Sequence, residues 1–264
     1  MTNSLGALFD AGTTHFDALT DRLWGPVSAS AVAVAQPVEG EHVFDACYGT
    51  GASALPTARA VGPTGRVDAI DLADKLLAVG RSRAEGLPWL TFHHGDVTTW
   101  SGGPYDLVQC VLGVFFLPDM DAGSRALISR LRPGGRFAAT VWRKEAILPV
   151  PEILQNAVSP ERAETPAAPV RRGASERVNT PELLTAWLTA LGLRDARVVT
   201  APHTLPLDPD VAWALVLGSA LRGFLTGLDP AAVERTRVRF TQELLDRGVT
   251  AIDATTLVGV GTAV

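Results

Sequence analysis

Cysteine is almost missing: the 264 residues include two, Cys47 and Cys110. Each falls in a segment that reads as buried, which excludes a disulfide framework and makes a reducing cytoplasm the expected setting. A basic excess is missing as well. Lys and Arg number 23 against 28 Asp and Glu, a formal net charge of −5, so a phosphate-backbone partner is disfavoured and no nucleic acid is expected. Long apolar runs are missing too. Val211 to Leu225 is interrupted by Gly218, Ser219, Arg222 and Gly223 and is too short to span a bilayer. The first residues show no basic region leading into an apolar run, so no secretion signal is expected. What is plentiful is apolar residue, 47% against 19% charged, enough core for one α/β domain and incompatible with global disorder.

Strand and helix patterns alternate from 42 to 142. Short apolar runs at Val43–Ala46, Arg66–Asp71, Leu90–His94, Tyr105–Val111 and Gly135–Trp142 read as strands, and 52–61, 73–85 and 120–132 read as helices. Such alternation predicts a doubly wound, mostly parallel sheet with helices on both faces. Residues 3–38 read as mostly helical. Residues 159–177, rich in Pro, Gly and charge, read as an exposed loop. Thr180-Pro181-Glu182 opens a helix with a capping hydroxyl, a first-turn proline and an early acid. A strand near 195–200, helices near 209–222 and 230–247, and a last strand from Thr255 to Val264 complete the pattern. The expected organisation is one domain with a helical cap at 1–40, a core at 41–203, a helical lid at 204–250 and a final strand within 251–264.

The most informative stretch is Cys47-Tyr48-Gly49-Thr50-Gly51, entered from His42-Val43-Phe44-Asp45. Glycines between a strand and a helix let backbone N–H groups approach a ligand, and the helix start adds positive dipole. Gly49 to Ala54 fits the loose dinucleotide pattern, with Asp71 at the spacing for ribose hydroxyls, so a nicotinamide-dependent oxidoreductase is one reading. Other features point elsewhere: Asp45 four residues before the first glycine, Gly95-Asp96 ending the third strand, and Leu131-Arg132-Pro133-Gly134-Gly135-Arg136 leading into the fifth.

Together these resemble the class I S-adenosylmethionine-dependent methyltransferases, most closely the ubiquinone/menaquinone-biosynthesis-type small-molecule subgroup. The resemblance is strong over about 40–145 and implies a Rossmann-like sheet of seven strands, the last antiparallel. It implies that Asp45, Ala46, Cys47, Gly49 and Gly51 surround the methionine part of the cofactor and that Asp71 takes the ribose diol. Leu72 and Leu76 would flank the adenine, Asp96 and Val97 would meet its edge, and Cys110 would offer its carbonyl to the ammonium. Cys47 stands where the family usually has a glycine, so it is expected to hold a φ open to other residues.

Methyl transfer from a sulfonium needs no metal and no covalent intermediate, and none is expected; alignment and exclusion of water suffice. A hydroxyl acceptor would use a general base. His15 and His203 are the candidates, with Asp119 and His94 behind them; His93 and His94, adjacent in a strand, point to opposite faces. Phe16, Trp24, Phe115, Phe116 and Trp142 are the candidate acceptor-pocket residues, each also readable as core. No Asn/Asp-Pro-Pro-aromatic run follows the fourth strand, and no Pro-Cys pair is present, so a base in nucleic acid is a poor acceptor. The expected activity is methylation of oxygen or carbon on a small apolar or aromatic metabolite. The alternatives are the oxidoreductase and a non-methylating protein that keeps the cofactor.

Overall fold

A computed structural model describes residues 2–162 and 172–264. The chain opens with helix α1 (Thr2–Ala18), a π-helical turn at Thr20–Trp24 and α2 (Gly25–Ala35), so the expected mostly helical start is made of three successive helical pieces. Core elements follow in alternation: β1 (His42–Ala46), α3 (Ala54–Val61), β2 (Arg66–Asp71), α4 (Asp74–Arg83), β3 (Leu90–His94), β4 (Tyr105–Val111), α5 (Met120–Ile128) and β5 (Leu131–Trp142). Strand β5 begins earlier than expected, because Pro133–Gly135 is absorbed into an irregular pairing with β4 instead of standing as a separate turn.

The second half contains α6 (Val150–Val158), α7 (Arg172–Glu176), α8 (Pro181–Ala190), β6 (Arg194–Ala201), β7 (Thr204–Pro206), α9 (Pro209–Leu217), α10 (Pro230–Asp246), β8 (Ala251–Asp253) and β9 (Thr256–Thr262). Of the expected loop, 159–161 is a 3-10 turn, 172–176 is α7, and 163–171 lies outside the described residues. Where one helix was expected over 209–222 there are two pieces, because Ser219 leaves helical geometry and its hydroxyl accepts from Leu221 N. Pro at the first turn and an Asp cap start α9 and α10, with Asp208 accepting from Val211 N and Asp229 from Ala232 N, satisfying orphan donors of the first turn.

Seven strands form one sheet in the order β3-β2-β1-β4-β5-β9-β6. Strands β1 to β5 pair in parallel, and β9 runs antiparallel between β5 and β6. The central strands are buried almost throughout, as expected when helices cover both faces. Alternation splits β1 between the two layers: Phe44 packs with Ile70, Val108 and Phe137, while Val43 packs with Val67, Leu107 and Val260. A further apolar cluster joins α6 to the late helices through Ile153, Leu154, Leu215, Val216 and Phe240. A two-stranded ribbon, β7 with β8, closes the base of that insertion, so 251–264 holds a ribbon strand as well as β9. Helix α1 meets the end of α9 closely: a β-carbon on Gly218 would lie 2.5 Å from Phe16 N, a contact that only glycine permits.

Candidate active site

Strand order reverses between β1 and β4, and in an open α/β sheet the crevice at the carboxyl ends of such strands is where ligands bind. Asp45, Ala46 and Cys47 leave β1 there beside Gln109 and Cys110 of β4. Gly49 and Gly51 have φ of 60° and 87°, values open to glycine at little cost. Cys47 departs from its expectation, with φ at 63°. Left-handed backbone costs a non-glycine residue about 1–2 kcal/mol. The neighbourhood pins it: Cys47 N donates to Ile70 O at 2.8 Å, and its thiol hydrogen-bonds Cys110. That bond and burial push the Cys47 thiol pKa up.

Asp71, at the end of β2, ties the loop down. One carboxylate oxygen accepts from Gly49 N and the other from Ala73 N, both at 2.9 Å. Burial raises its pKa against those backbone donors. Asp96 follows β3 and caps the next turn, accepting from Thr98 N at 2.8 Å and Thr98 Oγ1 at 2.7 Å through the same oxygen. Val97 beside it is buried, as is Leu76 on α4, while Leu72 is half-buried.

Asp45 is fully buried. Its Oδ2 accepts from Ser53 Oγ at 2.7 Å and from Gln109 Nε2 at 3.0 Å. Gln109 Nε2 also reaches Thr57 Oγ1 at 2.9 Å. Burial pushes the Asp45 pKa up to about 7 despite those donors, and the charge on Asp71 adds to the rise. Asp45 Oδ1, Tyr48 OH, Thr50 Oγ1 and Gln109 Oε1 are buried without a hydrogen-bond partner. Unsatisfied buried polar atoms are uncommon and call for a ligand or a functional reason. Four around one glycine loop fit a site that completes its hydrogen bonds on a polar ligand. Ser53, Thr57 and Gln109 were missed in the sequence; the available signal was a glutamine inside an apolar strand and two hydroxyls one helical turn apart.

The aromatic candidates fall into one continuous group with one exception. Phe16 stacks on Trp24 at 4.9 Å and meets Phe9 edge-on at 6.2 Å; Phe9 meets Phe116, and Phe116 meets Phe115. Trp24 Nε1 donates to Phe16 O at 2.9 Å. Phe9 was not singled out from sequence. Phe115 is buried in the sheet's core layer. Trp142 has no ring contact with the others and packs at the border of two apolar clusters.

The histidines separate clearly. His15 precedes Phe16 on α1, and burial, then Arg222, lower its pKa. His203 Nε2 meets the carbonyl of Arg22 at 2.8 Å. His93 faces Asp68 and His94 faces Leu72 O, on opposite sides of β3. Asp119 is the cap of α5, accepting from Asp121 N and Ala122 N, so its carboxylate has a structural task. Among the described residues no group of His, Cys, Asp and Glu is arranged to hold a metal ion, and no helix is long and apolar enough to cross a membrane.

Residues 43–135 match a family described as a methyltransferase domain. Aklanonic acid methyltransferase DauC of Streptomyces sp. (strain C5) is 32% identical over 136 residues, which cover 50% of this chain and 62% of that protein. A demethylmenaquinone methyltransferase of Clavibacter sepedonicus is 28% identical over 207 residues, covering 73% of this chain and 80% of the relative. The chain thus spans less than two thirds of the first of these. The solved structure of the [4+2]-cyclase SpnF superposes with a TM-score of 0.62 at 15% identity, covering 100% of this chain and 97% of that one; this shows a shared fold.

Proposed function

We propose that this chain, whose residues 43–135 match a methyltransferase domain, is a class I S-adenosylmethionine-dependent methyltransferase that transfers the methyl group of S-adenosylmethionine to oxygen or carbon of a small apolar or aromatic metabolite. The observation that carries this reading is the loop from Cys47 to Gly51, pinned by Asp71 and underlain by a buried Asp45 with one unpartnered oxygen.

When bound, the cofactor supplies a methyl group already activated by the sulfonium. The chain's own residues do the rest. The Cys47–Gly51 backbone, with Asp45 and the Cys110 carbonyl, would hold the amino-acid end. Asp71 would accept from the ribose diol, since one carboxylate takes two hydrogen bonds from neighbouring hydroxyls. Leu72, Leu76, Asp96 and Val97 would frame the adenine. Phe9, Phe16, Trp24 and Phe116 offer aromatic surface for an apolar acceptor and shield it from water, so that alignment supplies most of the rate gain. Phe115 and Trp142 support that wall from the core. His15 is the proposed base for a hydroxyl acceptor: its lowered pKa keeps the imidazole neutral and able to take a proton. The Arg22 carbonyl gives His203 a tethering task at the cap instead. The nicotinamide alternative rests on the loose glycine pattern and the spacing of Asp71 alone, both of which the methyltransferase reading also uses. A reducing cytoplasm suits the two free thiols, and the acidic balance argues against a nucleic-acid partner.

Incubation with S-adenosylmethionine carrying an isotopically labelled methyl group and a panel of phenols, quinols and acids tests the reading. The panel includes aklanonic acid and a demethylmenaquinone, after the relatives' names. A product heavier by one labelled methyl group is expected. Cofactor binding without transfer to any member would overturn methyl transfer to this acceptor class.

A further inference from the structure

The buried carboxylate beneath the glycine loop is held by an arrangement that the proposed cofactor reading does not use. Ser53 Oγ and Gln109 Nε2 both donate to Asp45 Oδ2, at 2.7 and 3.0 Å, and Gln109 is held in turn through Thr57 Oγ1 at 2.9 Å. Both donors converge on one oxygen, and Oδ1 is left buried and unpartnered. Asp45, Ser53, Thr57 and Gln109 are all no more than 2% exposed. The ionisable groups that act on Asp45 are Asp71 of β2 and the Cys47 thiol and Tyr48 phenol of the loop. Among the described residues, none of the groups acting on Asp45 is a cation. A buried carboxyl without a countercharge stays neutral until one arrives.

We propose that Gln109 and Ser53 are positioning residues that fix Asp45 with Oδ1 free, so that the cofactor's ammonium group becomes its countercharge and binding expels one proton from Asp45. This rests on the S-adenosylmethionine reading. The balance is simple: Asp45 loses its proton to solvent, the carboxylate gains an ion pair, and no covalent bond changes.

Titration calorimetry of the full chain with S-adenosylhomocysteine, in buffers of different ionisation enthalpy, counts protons released. Because Asp45 titrates at about 7, release is expected to approach one proton per cofactor near about pH 6 and to fade by about pH 8, with affinity rising up to about tenfold per pH unit below the midpoint. Removing a donor from the carboxylate form raises the Asp45 pKa further. Gln109→Leu should therefore move the pH profile upward, losing affinity at neutral pH and regaining it in alkali. Ser53→Ala, which removes the shorter of the two donors, should shift it the same way by at least as much. Equal loss at every pH would mark Gln109 as merely structural and overturn the positioning role. Tight binding by the wild type near about pH 6 with no proton released would overturn the expulsion. No binding of S-adenosylhomocysteine at any pH would instead sink the cofactor reading itself.

Discussion

The ring of Phe16 lies directly over Gly49: a β-carbon on Gly49 would sit 2.9 Å from Cζ of Phe16. The first helix thus closes on the same glycine whose N–H is held by Asp71 at 2.9 Å. Cap, loop and second strand converge at one residue with no room for a side chain.

Gly49→Val meets both obstacles, a φ of 60° and the Phe16 ring. A β-branched residue in left-handed backbone costs at least about 1–2 kcal/mol. The variant should keep its helical and sheet circular dichroism, show a lowered Tm, and bind S-adenosylhomocysteine at least tenfold more weakly. Wild-type affinity in a folded Gly49→Val protein would count against close backbone approach.

Asp71→Asn replaces an acceptor-only group that holds two backbone N–H groups. Hydrogen bonds to a charged group are worth about 1.5–3 kcal/mol, so affinity for S-adenosylhomocysteine should fall by about 10- to 100-fold in calorimetry. An unchanged Kd would remove Asp71 from the ribose assignment.

Phe16→Ala opens the cap without touching the loop's hydrogen bonds. It deletes the stack on Trp24 and the edge contact with Phe9, each worth about 0.5–1.5 kcal/mol beyond area. S-adenosylhomocysteine should dissociate faster by about tenfold with little change in association rate, as read by stopped-flow fluorescence. A dissociation rate equal to wild type would show that the cap is not a barrier to exit.

A second buried acid predicts the response of stability to pH. Asp68 is 2% exposed. Burial pushes its pKa up, but His42, His93, Arg66 and the Tyr105 hydroxyl outweigh that and hold it below the usual carboxylate value. A depressed folded pKa gives stability that is complete above the unfolded value of about 3.9 and is lost as pH falls through the folded one. Asp68→Asn should therefore destabilise by about 1.5–3 kcal/mol at neutral pH in urea unfolding, and the gap to wild type should narrow below about pH 4. A constant gap down to acid would detach Asp68 from the effect.

The strands from Val43 to Trp142 were legible because each is a short apolar run closed by turn chemistry, and the glycine loop was legible because its acids sit at fixed offsets. The Asp45 network was not: Gln109 is 64 residues from its partner, and nothing local marks a glutamine that turns toward another strand. The ribbon of β7 and β8 was missed because three-residue strands carry no periodicity and pair across the whole insertion. Cys47 misled in the opposite direction. Its side chain argued for ordinary backbone, while the turn imposed a left-handed one that Ile70 O and Cys110 hold in place.

Parallel calorimetric titrations of the wild-type chain with S-adenosylhomocysteine and with NADH bear most directly on the central claim, that the Cys47–Gly51 loop is an S-adenosylmethionine site. The account predicts saturable one-to-one binding of S-adenosylhomocysteine, weakened by Asp71→Asn, and no heat from NADH. Binding of NADH with none of S-adenosylhomocysteine would contradict it.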